Sequence, residues 1–578
     1  MELSSKEMHI WRIAGAIGWS IVFQFIFLYC YIFVANLDFW HPLHVFSVSF
    51  STIFSFKTLL NIFPLALVIF CQGLLCGRDY FNQRNNQVSN TRFSLLLNFF
   101  TIYNFTTLVL FSVVGITLGC VHTSVLNERL NSFSTLCPNK IERCLNEERF
   151  FLACDGLWMG IFFFMRNYIF RSSKALVFPP IQQEKFIRIK SSFLPCVRNS
   201  FAKSIVPSLL FFICYFFKGD YLRSSFSSIL YLETKNDGLD SIFTLVDFEL
   251  MFYLWMLSTT FIVTLEMMEI LFNIYLTEQA MFPVSTLLAL PANQVSLQDA
   301  LMCESFPIIQ HLGFYDLAHL AEFDEERRAQ LFTLSMPGGH AHTWNCVSSQ
   351  CFKVINSFLD NLDKAFDETR LTPSEVNSIK KLDTSAPKVP IQDHLYSPRI
   401  RCLSPVVVQS HPVSTSTIQK SYEQALKNCS SWFDEKLNAF YKKPLIVYLF
   451  GDMIEPKVKQ LLIDRGQLVT WAVKSLSTLA CSSLREDYFG VVQKDLGIII
   501  LTLVHLKQSL EKLQKQNMYN RKMPKAERID LQVKNALRWT VKQSLYRIAI
   551  TFGTHVKDID LPGDVQQQML NFVSFKEV

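Results

Sequence analysis

The sequence predicts an all-α protein, with a six-helix transmembrane bundle followed by a cytoplasmic helical domain that a disordered linker interrupts. Three observations carry this reading. The 578-residue chain is 50% hydrophobic and 18% charged, on the apolar side of ordinary soluble proteins. Its mean hydropathy is +0.22, and its 53 Phe and 9 Trp crowd toward the first half, where bilayer-facing surface would use them. Hydropathy then breaks near residue 278, and the composition beyond is that of a soluble helical protein. The expected divisions are a membrane domain at 1–277, a helical segment at 278–366, a linker at 367–417 and a C-terminal helical domain at 418–578.

Charge and cysteine content set further bounds. A net charge of +6 is only mildly basic and gives no ground for nucleic-acid binding. Fifteen Cys in 578 residues are too sparse for a disulfide scaffold.

Ile13 to Ala35 is the clearest span, a 23-residue run without formal charge, enough at about 1.5 Å per residue to cross a core of about 30 Å. It outruns the apolar core of a signal peptide and reads as an uncleaved first helix. Thr58–Cys76 and Phe99–Gly119 are likewise free of charge. Phe150–Phe170, Phe201–Phe217 and Leu250–Leu271 each hold an ionisable residue, and the fifth span is short, with Pro207 near its start.

With the N-terminus cytoplasmic, loops two and four carry ten Lys and Arg against eight on the far side. That slight bias and the even number of spans put both termini on the cytoplasmic side.

Ionisable residues at membrane depth are candidates for function or for structural pairing. Lys57 and Asp155 lie near the far-side ends of their helices, and Arg166, Glu266 and Glu269 near the cytoplasmic ends. Glu266 and Glu269 share a face at i, i+3, so Arg166 is expected to pair with one of them. Gly115 and Gly119 in the third span, with Gly156 and Gly160 in the fourth, form GxxxG faces suited to close packing within the bundle, with dimerisation as the alternative. Cys137 and Cys144 of the third loop are candidates for a luminal disulfide.

In the cytoplasmic half, Ser296 and Asp299 make a capping-box signature. Phe306–Leu334 reads as short helices punctuated by Pro307 and Gly313. After a break at Pro337, Gly338 and Gly339, an amphipathic helix is expected over Thr343–Phe366, burying Val347, Phe352, Ile355, Leu359 and Leu362. His340, His342, Cys346 and Cys351 match no usual zinc-ligand spacing and read as a polar turn followed by core cysteines. The linker is rich in Pro, and Thr372, Ser397 and Ser404 each precede a proline, which makes them candidates for proline-directed phosphorylation.

Farther on, Leu496, Ile499, Leu503, Leu506, Leu510 and Leu513 step by three and four. Such a seam suits the domain's own core or, alternatively, a partner helix. A second face, Leu537, Val541, Leu545, Ile548 and Phe552, stops at Gly553. Arg521, Lys522, Lys525 and Arg528 form a basic loop that reads as solvated, with anionic headgroups as the alternative contact. No phosphate-cradling, dinucleotide, nucleophile-elbow or zinc-protease motif occurs, which moves the weight away from an enzyme and implies no cofactor.

Particular words in the sequence add to this. Leu334-Ser335-Met336-Pro337-Gly338-Gly339-His340 followed by Trp344 resembles a stretch of the six-span transmembrane nucleoporins of the pore membrane ring, the nuclear-division-cycle family. Leu484-Arg485-Glu486-Asp487, Gly490-Val491-Val492-Gln493, Ser544-Leu545-Tyr546-Arg547-Ile548, Thr551-Phe552-Gly553 with His555, and the closing Phe575-Lys576-Glu577 are similar to that family's C-terminal pattern. The resemblance implies a non-enzymatic nuclear-envelope protein in the nuclear pore complex. Its implied role is to anchor scaffold nucleoporins and support pore assembly. The implied partners are scaffold and linker nucleoporins, other pore-membrane proteins and aladin, besides the lipid bilayer, without direct nucleic-acid contact. The competing readings are a transporter or channel lined by the five intramembrane ionisable residues and, further behind, a membrane-bound enzyme using His340 or His342.

Overall fold

The computed structural model describes residues 2–37, 41–81, 93, 97, 100–126, 130, 132–136, 143–170, 176, 178–179, 182–231, 247–284, 295–334, 339–370, 454–515 and 529–574. The chain divides into two compact units, the first made of Met1–Gln87, Phe99–Asp360 and Lys459–Val578, the second of Val88–Asn98 and Asn361–Val458.

Among the described residues the membrane half has seven helices: α1 (Glu2–Ala35), α2 (Pro42–Ile53), α3 (Phe56–Phe81), α4 (Ile102–Val125), α5 (Glu147–Phe170), α6 (Lys185–Leu230) and α7 (Phe248–Leu276). Long apolar runs become helices because a helix satisfies its own amides and carbonyls where lipid offers no partner. Among the described residues α1, α3, α4, α6 and α7 are long and apolar enough to cross a membrane. Helix α5 is also 24 residues long, but Asp155 and Arg166 lower its hydropathy.

Three features differ from the sequence expectation. The short fifth span is the middle of α6, a single 46-residue helix that continues through Pro195 and Pro207, because neighbouring helices hold it where an isolated helix would break. The loop between α4 and α5 contains a small antiparallel hairpin, β1 (Ser134–Leu136) and β2 (Arg143–Leu145), with Thr135 opposite Cys144. Helix α2 has no counterpart in the span pattern.

The most extensive helix pairings are α4 with α5, α6 with α7, and α1 with α7. A buried cluster of Phe150, Phe151, Phe211, Tyr215, Leu254 and Leu257 fills the space among α5, α6 and α7.

The second half of the chain begins with α8 (Leu297–Met302), α9 (Pro307–Phe323) and α10 (Glu325–Leu331). The Ser296 and Asp299 capping box is present at the start of α8. Pro307 opens α9 as expected, but Gly313 does not interrupt it. Instead the missing side chain lets α9 approach α8, since a Cβ there would lie 3.0 Å from the Ala300 Cβ. Next come α11 (His342–Arg370), α12 (Ile454–Glu486), α13 (Leu496–Lys515), α14 (Ile529–Phe552), a 3-10 turn at Gly553–Lys557 and α15 (Gly563–Val573). All six seam residues of α13 are buried, so the seam serves the domain's own core. Gly553 ends α14 with φ +41°, a conformation that favours glycine.

Candidate functional site

The residues singled out at membrane depth act as ties between helices. Glu266 on α7 receives Lys203 Nζ of α6 at 2.7 and 3.0 Å and Arg166 Nη2 of α5 at 3.4 Å. One carboxylate thus holds three helices, and the Arg166 guanidinium also rests over the Phe163 ring at 4.7 Å. From sequence Lys203 is counted with the fourth-loop charges and also falls within the short fifth span; α6 sets its half-exposed side chain against Glu266. Glu269 lies one turn farther along α7, half-buried.

Asp155 is fully buried on α5 and accepts from the Ser258 hydroxyl of α7 at 3.0 Å. Lys57 donates to the Ser124 carbonyl at the end of α4, and Asn61 Nδ2 donates to Ser124 Oγ at 2.7 Å. Further polar ties are Thr264 to Gln24 at 2.6 Å and Ser204 with Thr259 at 2.8 Å. The Trp158 indole donates to the Pro207 carbonyl at 3.1 Å.

The GxxxG faces meet. A Cβ on Gly115 would collide with the Gly156 carbonyl, and one on Gly160 with the Phe111 carbonyl, so α4 and α5 touch backbone to backbone. Cys144 is disulfide-bonded; Cys137 lies outside the described residues, as do Thr372, Ser397, Ser404 and the basic loop at 521–528.

A second set of ties fixes α1, α6 and α7 to the chain beyond residue 277. Arg12 Nη1 of α1 donates to the Glu278 carbonyl at 2.7 Å and the Tyr275 carbonyl at 3.1 Å. Lys185 pairs with Glu278 at 2.9 Å, and Arg188 donates to Thr277 Oγ1 at 3.1 Å. Just beyond, Asp316 is fully buried and takes both Arg327, at 2.7 Å, and the Phe282 amide, at 3.0 Å. Phe178, from the connection before α6, lies against His311 of α9 with ring planes 8° apart and meets Trp471 of α12 edge-on at 4.9 Å.

His311 also lines a cavity of about 320 Å³ with Asp464, Arg465, Lys353 and Gln310. Burial holds the His311 imidazole below its usual value and pushes the Asp464 carboxyl up. Farther along, Arg328 of α10 clasps Glu486 at 2.8 and 3.0 Å, and that carboxylate raises the guanidinium pKa.

Among the described residues no three His, Cys, Asp or Glu converge as a metal site. Cys346 and Cys351 are buried in α11, and burial raises both thiols, the reverse of what a thiolate ligand or nucleophile needs.

This arrangement defines a polytopic helical membrane protein whose ionisable residues brace helices and whose later helices are clamped to the bundle. Comparison with known proteins narrows the class. Residues 10–569 match the family model of the Nucleoporin protein Ndc1-Nup. The chain is 25% identical to Nucleoporin NDC1 of Mus musculus over 98% of this chain and 97% of that protein, and equally to that of Homo sapiens. Nucleoporin Ndc1 of Drosophila melanogaster is 23% identical over 98% of both chains. The chain belongs to the Ndc1 family of nucleoporins.

Proposed function

We propose that this chain is a non-enzymatic anchor at the nuclear pore and envelope membrane, which joins scaffold nucleoporins to the pore membrane and supports pore assembly. The observation that carries the reading is the tie between the membrane helices and the C-terminal helices: Arg12 and Lys185 on Glu278, Asp316 gathering Arg327 and the Phe282 amide, and Phe178 wedged on His311 and Trp471. A load applied to the C-terminal helices passes through these contacts into the bilayer.

The topology proposed with it has six spans, α1, α3, α4, α5, α6 and α7, with both termini facing the cytoplasm and pore. Arg12 near the start of α1 meets the end of α7, so the two ends lie on one side, which supports an even number of crossings. A pairing of Cys144 with Cys137 on the opposite, luminal side and regulation at Thr372, Ser397 and Ser404 belong to the same reading. Residues 278–578 would carry the surface for scaffold and linker nucleoporins, other pore-membrane proteins and aladin.

Acute degradation of the full-length protein in cells tests the reading. The expected result is loss of scaffold nucleoporins from the nuclear rim and fewer newly assembled pores. Unchanged pore density and rim signal over several divisions would refute it.

A further inference from the structure

The short helix α2 lies between two spanning helices and presents an apolar stripe that none of the described residues covers. Leu43, Phe46, Phe50 and Phe54 succeed one another at steps of three or four and are 85%, 61%, 66% and 63% exposed. The opposite face, Val45 and Ser49, is buried against the bundle, each only 3% exposed. Phe46 leans on Phe33 of α1 with ring centroids 5.4 Å apart, and Phe50 on Phe54 at 4.6 Å. The helix is therefore fixed in rotation, with its apolar stripe turned outward.

We propose that α2 is an interfacial helix that lies on the bilayer surface opposite the cytoplasmic domain, with Leu43, Phe46, Phe50 and Phe54 sunk among acyl chains. Three observations choose lipid as the occupant. The stripe runs without interruption into the outward face of α3, where Phe56, Leu60, Phe63 and Leu67 are 80%, 58%, 73% and 64% exposed; on a spanning helix such a face meets lipid. The connections are short, residues 36–41 from α1 and 54–55 to α3, so α2 cannot leave the level at which those helices emerge. The helix carries no Asp, Glu, Lys or Arg, which offers a charged protein partner nothing to recognise and lets the helix bury its face in uncharged lipid. Lys57, one residue into α3, marks the edge of the hydrocarbon next to it.

The inference rests on the spanning reading of α3. It is tested by placing p-benzoylphenylalanine at Phe46, Phe50, Phe63 or Tyr488, one at a time, in the full-length protein reconstituted in phosphatidylcholine vesicles, followed by irradiation and mass spectrometry. These side chains are exposed and aromatic, so the photoreactive ring replaces them with little disturbance. Phospholipid adducts are expected at Phe46 and Phe50 in yields comparable to Phe63, and none at Tyr488, which is 91% exposed just past the end of α12. Adducts at Phe63 with none at Phe46 and Phe50 would overturn the interfacial helix alone. Crosslinks between two chains at those positions would make a second copy the occupant and overturn it as well. Failure at Phe63 too would overturn the spanning reading of α3 and the α2 proposal with it.

Discussion

Trp344 Nε1 donates to Asp495 Oδ2 across 2.8 Å, a bond that joins the tryptophan closing the first family-like stretch to the turn two residues past Gly490–Gln493. The indole is fully buried and its ring lies 6.3 Å from Phe332. The Arg328 and Glu486 pair ties α10 to the Leu484–Asp487 stretch at the end of α12. Trp344 and Glu486, each within a family-like stretch, therefore help hold the C-terminal helices together.

Trp344→Phe keeps the aromatic packing and removes the donor from Asp495. The expected cost is about 1.5 kcal/mol, the low end for a hydrogen bond to a charged group, because Asp495 is only half-buried. Thermal unfolding of the purified full-length protein measures it; an unchanged Tm would show that the bond contributes nothing.

Gly115→Leu is expected to separate α4 from α5, because the new side chain points into the Gly156 carbonyl. Gly18→Leu, where nothing lies within 4 Å, serves as the control. Size-exclusion profiles in detergent should show aggregation for the first and a normal peak for the second.

Neutralising Glu266 leaves Lys203 and Arg166 without the anion between them. Glu266→Gln should cost roughly 1–3 kcal/mol, whereas Lys203→Met, with a side chain 47% exposed, should cost under about 1 kcal/mol. Thermal aggregation of the two variants gives the order; the reverse order would contradict the geometry.

Stability should fall with acid through His311. Its folded-state pKa is held below the ordinary 6.5 by burial, so the unfolded chain binds the proton more readily and the loss begins as pH drops below that value. Asp464, raised by burial, works in the opposite sense, since its cost is relieved as pH falls through its folded value. His311→Phe should flatten the decline of Tm as pH drops below 6.5, and Asp464→Asn should steepen the acid-side decline as pH falls through that group's raised folded value.

Helix positions and core faces are legible in the sequence because lipid and periodicity leave direct marks. Ile13–Ala35 and Leu250–Leu271 lie inside α1 and α7, and the α13 seam is buried at every position. Partnership is not legible in the same way. By spacing alone Arg166 has two carboxylates to choose from and no third helix in view, yet Lys203 sits closest to Glu266. Local chemistry misleads where tertiary contact prevails: Pro195 and Pro207 lie inside one helix, and Gly313 is a contact point rather than a break. Helix α2 is hidden because a 12-residue apolar segment is too short to register as a span.

The unbroken α6 also works as a depth gauge. At 46 residues it is about 69 Å long, more than twice the thickness of a hydrocarbon core. Lys203 and Lys218 lie about 22 Å apart along it, closer together than the two faces of that layer, and Lys203 meets the Glu266 carboxylate of α7. On the spanning reading these two charges set the depth at which the rod sits, and thickening the membrane around it would strain them.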